Sequence, residues 1–249
     1  MMDLGIKGRK AIVCAASSGL GKACAKALAG EGVDVVINGR TQETLEAAAA
    51  EIRESASEAS VTTVIGSVAE PACRDALLEA CPAPDIIVNN AGGPPPGDFR
   101  DWNRETWISA IDTNMLAAIE MIRLSADGMA ERGFGRFVNI TSSAVRVPIP
   151  VIGLSNATRA GLVNFVLGLV PEFSGKGVTF NNILPGPFDT NRLRNSKAIT
   201  QHLTGNDIAG RVGDPDELGA LCAFLCSAHA GYITGQNFLI DGGRYPGNF

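Results

Sequence analysis

The chain has 249 residues, 45% of them hydrophobic and 19% charged, with a formal net charge of −5. This is the profile of a soluble protein with a sizeable core, and the length suits one α/β domain. The mild acidic balance gives no support to nucleic-acid or membrane-surface binding, no run approaches the roughly 18 apolar residues of a membrane span, and the start lacks a secretory pattern, so a cytoplasmic location is the default expectation.

The first element is AIVCAA (11–16), a short apolar run that reads as a buried strand. Leu20, Ala23, Cys24, Ala27 and Leu28 follow at the spacing of one helix face, and Gly30 and Gly32 stop that helix. VDVVIN (33–38) is the second strand, and Thr41 caps a helix carrying Leu45, Ala48, Ala49 and Ile52. VTTVIG (61–66), DIIVNN (85–90), RFVNIT (136–141), VTFNNIL (178–184) and NFLID (237–241) read as further strands, separated by helical segments. Strands that are continuous apolar runs are buried on both faces, and their alternation with helices predicts a doubly wound parallel sheet of about seven strands in one domain, 1–249. The longest irregular stretch runs from about 185 to 213, and a substrate-covering loop is expected near 186–213. Cys222 and Cys226 share a helix face. With Cys14, Cys24, Cys73 and Cys81 they form no C-x-x-C pair and read as small buried hydrophobes. The histidines are His202 and His229, so no metal site is expected. Tyr232, beside the last strand, is expected to pack.

The first strand leads into Ala15-Ala16-Ser17-Ser18-Gly19-Leu20-Gly21, where a helix begins. Glycines between a strand and a helix let backbone approach a phosphate, whose charge the free N–H groups and the helix N-terminus then bind. Cys14 to Gly21 resembles the T-G-x-x-x-G-x-G turn of the short-chain dehydrogenase/reductase family, with Ala15 in place of the first glycine. An alanine there is expected to avoid left-handed backbone, so the loop is expected to differ slightly. Other motifs of that family follow in order: Asn89-Asn90-Ala91-Gly92; Asn114 in Asp112-Thr113-Asn114; Asn139-Ile140-Thr141-Ser142; Pro185-Gly186 with Thr190; Gly235-Gln236; and Asp241-Gly242-Gly243. The resemblance covers nearly the whole chain and is closest to the 3-oxoacyl-acyl-carrier-protein reductase-like members.

It implies a single-domain Rossmann fold and an NAD(P)-dependent oxidoreductase acting on a carbonyl or alcohol. The cofactor-binding residues it implies are Ser17, Ser18, Gly19, Leu20, Gly21, Asn38, Arg40, Ser67, Val68, Asn90, Ala91, Gly92, Arg159, Pro185, Gly186 and Thr190. It also implies a homo-oligomer, a tetramer or else a dimer, built on the two long helices near 103–132 and 152–174. The catalytic set is Ser142, Asn114, Ser155 and Arg159, and here the pattern breaks. The family's tyrosine and lysine positions fall on Ser155 and Arg159, inside the well-matched frame Ser155-Asn156-Ala157-Thr158-Arg159-Ala160-Gly161-Leu162. An aliphatic hydroxyl is a far weaker acid than a phenol of pKa about 10, and arginine does not relay protons near neutrality. Arg159 keeps the positive charge and is expected to hold ribose hydroxyls.

Readings from different classes stay open: an oxidoreductase with a water- or substrate-assisted proton step, a cofactor-binding sensor, scaffold or partner without turnover, and non-redox chemistry on a nucleotide-like ligand. On the oxidoreductase reading the substrate is expected to be a small carbonyl or acyl compound. Pro94, Pro95, Pro96, Val147, Pro148, Ile149, Pro150, Val151, Phe188 and Leu193 are expected at an apolar mouth. NADP is expected over NAD, because Gly39 stands where NAD-type members carry aspartate and Arg40 follows it; NAD stays possible.

Overall fold

The structure is a computed structural model that describes residues 3–56, 58–197, 200 and 209–245. Its strands are β1 (Lys10–Val13), β2 (Asp34–Gly39), β3 (Val61–Ile65), β4 (Ile86–Asn89), β5 (Gly135–Ile140), β6 (Val178–Pro185) and β7 (Gln236–Ile240). All pair in parallel, in the order β3-β2-β1-β4-β5-β6-β7. The seven expected strands are present, with ends moved by at most three residues, and they form the single doubly wound sheet expected of an α/β Rossmann fold.

The helices are α1 (Gly19–Gly30), α2 (Gln42–Ser55), α3 (Pro71–Ala80), α4 (Arg104–Ile111), α5 (Ala117–Glu131), α6 (Gly153–Leu169), α7 (Asn191–Arg194) and α8 (Pro215–Cys226). Successive strand residues feed opposite faces. Val13, Ile37 and Val88 pack with Leu28 of α1, Leu45 of α2 and Leu218 of α8. Ile12, Val36 and Ile87 pack with Leu77 of α3, Met121 of α5 and Val166 of α6. Cys222 and Cys226 are fully buried on α8, as their shared face predicts. Tyr232 does not pack: it is fully exposed in the turn before β7, where no element covers it.

A row of amides crosses the sheet. Asn89, Asn139, Asn182 and Asn237 are in register on β4 to β7. Each donates from Nδ2 to the next Oδ1, at 2.9, 3.0 and 2.9 Å. The register of the strands sets these amides opposite one another, and the bonds pair buried groups that would otherwise be costly to bury, although the Asn89 oxygen has no partner among the described residues. The row starts at the carboxyl ends of β4 and β5 and runs to the middle of β6 and the start of β7; a doubly wound sheet opens its crevice beyond the carboxyl ends, between the turns that follow β1 and β4.

The stretch from 185 to 213 contains α7 and a bridge between Phe188 and Gly213. The rest of the loop expected near 186–213, from 198 to 208 except Thr200, lies outside the described residues, as does His202.

Candidate active site

The turn after β1 is held by two asparagines. The Ala15 N–H donates to Asn38 Oδ1 at 2.6 Å, and Asn38 Nδ2 donates to the Gly66 carbonyl at 3.1 Å. Asn90 Nδ2 donates to the carbonyls of Cys14 and Ala15, at 3.3 and 3.2 Å. Pinned on both sides, Ala15 takes φ +48°, the one non-glycine residue in left-handed backbone among those described. The expectation that alanine would avoid this conformation is corrected: the turn keeps the glycine geometry and Ala15 carries the strain of about 1–2 kcal/mol.

The glycines have distinct tasks. A Cβ on Gly21 would come within 2.5 Å of the Ala15 carbonyl, so only glycine lets α1 start so close under the turn. Gly39 at the tip of β2 lies under the Ser17 side chain. Ser18 stands at the N-cap of α1 with no side-chain capping bond. The first N–H groups of α1 are therefore left to an anion, and the helix dipole favours one there. These features fit a dinucleotide pyrophosphate.

Around this turn opens a cavity of about 450 Å³. Every residue expected from the sequence to bind cofactor or act in catalysis lines it, except Gly21 and Asn114. Arg40 lines it from an exposed position. It makes no hydrogen bond or ion pair with the described residues. Ser67 and Val68 approach from the end of β3, and Pro185, Gly186 and Thr190 from the end of β6. Of the expected apolar mouth, Ile149, Phe188 and Leu193 reach the cavity. Pro94, Pro95, Pro96, Val147, Pro148, Pro150 and Val151 do not line it.

Arg159 of α6 is the centre of the other end. Its Nε donates to Ser155 Oγ at 3.1 Å. Nη1 donates to the carbonyls of Ile140 and Thr141, both at 2.8 Å. Nη2 donates to the Ala91 carbonyl at 3.3 Å and to Asn114 Oδ1 at 3.2 Å. A guanidinium has five N–H donors, and all five are engaged. Asn114 sits in a π-turn, Asp112–Leu116, between α4 and α5. The wider turn swings its amide under Arg159 rather than into the main cavity. Burial lowers the Arg159 pKa to about 10, with the nearby charge of Arg192 adding to the effect.

Ser155 is buried, and its oxygen accepts from Arg159, so its own hydrogen remains to be donated. Ser142, two residues past β5, caps a short 3₁₀ turn, its Oγ accepting from the Ala144 N–H at 3.1 Å. Thr141 and Ser143 add two more hydroxyls to the lining.

Sequence reasoning missed Arg192. It is on α7, two residues past the Thr190 that the motif marks, and its guanidinium donates to the carbonyls of Gly93 and Pro94. A basic residue so close to the motif was the signal available.

The model of the family described as Enoyl-(Acyl carrier protein) reductase matches residues 14–244. Gluconate 5-dehydrogenase of Gluconobacter oxydans (strain 621H) is 32% identical over 244 residues, 96% of this chain and 95% of that protein. The 3-oxoacyl-acyl-carrier-protein reductase FabG of Vibrio harveyi is 30% identical over 245 residues, 97% of this chain and 99% of that protein. The crystal structure of L-sorbose reductase from Gluconobacter frateurii, complexed with NADPH and L-sorbose, superposes with a TM-score of 0.90 at 30% identity, covering 99% of this chain and 100% of that one. A glycine turn under an uncapped helix, the ordered motifs around one cavity and similarity along nearly the whole length agree: the chain belongs to the short-chain dehydrogenase/reductase family.

Proposed function

We propose that this chain is an NADP-dependent oxidoreductase that moves hydride between a nicotinamide and a carbonyl or alcohol. It represents an atypical branch in which Ser155 and Arg159 stand in the tyrosine and lysine places. The observation that supports this is convergence: the glycine turn, Arg40 and the hydroxyls of Ser142 and Ser155 border one cavity. The 3-oxoacyl-acyl-carrier-protein reductase-like pattern of the motifs makes an acyl ketone one candidate substrate.

When bound, the cofactor supplies the hydride. The chain's own residues orient and stabilise. Ser142 and Ser155 are placed to hold a substrate oxygen, and the fixed positive charge of Arg159 stabilises negative charge developing there. Arg159 acts through charge: with every N–H engaged by protein, it has none left for a ribose hydroxyl. A serine hydroxyl is a weak acid, so the proton reaches the substrate oxygen from water held beside Ser142 and Ser155. At the adenosine end, β2 carries no acid at its tip, and Arg40 is placed for a 2′-phosphate. The NADPH in the L-sorbose reductase structure accords with this choice.

A second reading has its own support. Among the described residues lining the cavity, none is an ordinary proton donor or acceptor near neutrality, which favours a cofactor-binding protein without turnover. Following NADPH absorbance with a panel of ketones, 3-oxoacyl thioesters and aldehydes separates the two. Turnover supports the first reading, binding without turnover supports the second, and no binding overturns both.

We further propose a cytoplasmic homotetramer. The six cysteines are free and buried, as suits a reducing compartment. Among the described residues no helix is long and apolar enough to cross a membrane. Leu116, Leu124 and Phe165, on or beside α5 and α6, are 39–40% exposed, apolar area that suits a subunit contact.

A further inference from the structure

The cavity is charged in one sense only. Among the described residues lining it, the charged side chains are Arg40, Arg159 and Arg192, with no aspartate or glutamate. This is a concentration of positive charge on a chain whose formal charge is −5. Arg40 is at the adenosine end, beside the tip of β2. Arg159 and Arg192 lie at the other end, close enough for the charge of Arg192 to act on Arg159.

The two differ in what they have left to give. Arg159 has spent all five donors on neutral acceptors, so its charge is unneutralised and its hydrogen bonds are used. Arg192 donates Nη1 to the Gly93 carbonyl at 2.7 Å and Nη2 to the Pro94 carbonyl at 3.1 Å. Three of its five N–H groups have no partner among the described residues. Gly93 makes this contact possible, since a side chain there would collide with the guanidinium. No acid among the described residues neutralises Arg192. The nearby Asp189 is taken by Arg194, with two bonds of 2.6 Å outside the cavity.

A guanidinium held at two points, with donors to spare and a second unneutralised guanidinium near it, matches the geometry of an oxyanion. We propose that the substrate carries an anionic group, a carboxylate or a phosphate monoester, which docks on Arg192. Arg192 is then the residue that selects the substrate class. The inference rests on the oxidoreductase reading above, in which the cofactor phosphates are held elsewhere, at the start of α1 and at Arg40.

Calorimetric titration of the NADPH-loaded protein tests it with two matched pairs: acetoacetate against its methyl ester, and dihydroxyacetone phosphate against dihydroxyacetone. At least one anion is expected to bind about ten- to a hundredfold tighter than its neutral partner, more weakly as salt rises, and the pair that responds identifies the anion. Arg192→Gln should abolish the preference and Arg192→Lys should keep part of it. Arg194→Gln, the same charge change on the same helix, should leave it intact. Equal binding of both pairs by the wild-type protein overturns the proposal. So does an Arg192→Gln variant that loses NADPH affinity while keeping the anion preference, which would assign Arg192 to a cofactor phosphate. If NADPH does not bind the wild-type protein, the functional reading fails, and the same titrations on the protein alone still decide the role of Arg192.

Discussion

Arg159 Nε donates to Ser155 Oγ across one turn of α6, at 3.1 Å. On the proposed reading the pair stands in the places of the family's lysine and tyrosine, and the bond joins the two directly. The bond orients the serine oxygen and leaves its proton pointing elsewhere. It makes Ser155 a positioned hydroxyl rather than a strong acid.

Ser155→Ala is therefore expected to lower turnover less than about tenfold, against the roughly 10²–10⁴-fold worth of a true general acid. Ser142→Ala should lower kcat more than it weakens cofactor binding. Steady-state kinetics beside cofactor titration check both. A larger loss at Ser155 with unchanged binding would show that its proton is transferred in the rate-determining step.

The pH profile carries a second expectation. The charged side chains lining the cavity among the described residues are arginines, so kcat should be flat from about pH 6 to about pH 9, without the bell that a titrating acid and base produce. Burial disfavours the charged form of Arg159 and brings its pKa down to about 10. The guanidinium is charged below that value and loses its proton above it. Activity should fall only as the pH passes about 10. A limb near neutrality, measured in constant-ionic-strength buffers, would reveal an acid or base outside these residues.

Cofactor preference should follow Arg40. Arg40→Ala is expected to weaken NADP binding by about ten- to a hundredfold while leaving NAD nearly unchanged, read by isothermal titration with both oxidised cofactors. Equal or tighter NAD binding by the wild-type protein would remove the argument.

Ala15→Gly should stabilise the fold by about 0.5–1 kcal/mol. Relief of left-handed alanine strain, about 1–2 kcal/mol, is partly offset by the greater freedom of glycine in the unfolded chain. A urea midpoint raised at constant slope would show it. An unchanged or lowered midpoint would mean that Asn38 and Asn90 hold the turn without strain.

Light scattering at micromolar concentration should give four times the 25.9 kDa chain mass. Phe165→Glu, at a half-exposed apolar position on α6, should shift that mass downward with little change in stability. A wild-type mass close to that of one chain would exclude the oligomer.

Much of the architecture was legible from the residues alone. The five inner strands are buried along nearly their whole length because both their faces are covered, and the long helices show a 3.6-residue pattern because only one face is. Ser18, Asn90, Ser142 and Gly186 were legible as partners in one site for a related reason. In a parallel sheet the carboxyl ends of all strands lie along one edge, so turns far apart in sequence must meet there. Motifs also placed Asn114 and Arg159 near that edge. Tertiary structure alone decided what these residues do when they meet. Ala15 is forced into left-handed backbone by asparagines 23 and 75 positions away. Arg159 is exhausted by acceptors from the ends of β4 and β5, from the π-turn and from its own helix. Arg192 keeps donors to spare because, among the described residues, only two carbonyls reach it. Most of these acceptors are backbone carbonyls, the same at every residue, so their positions leave no mark in the order of side chains and appear only when the chain is folded.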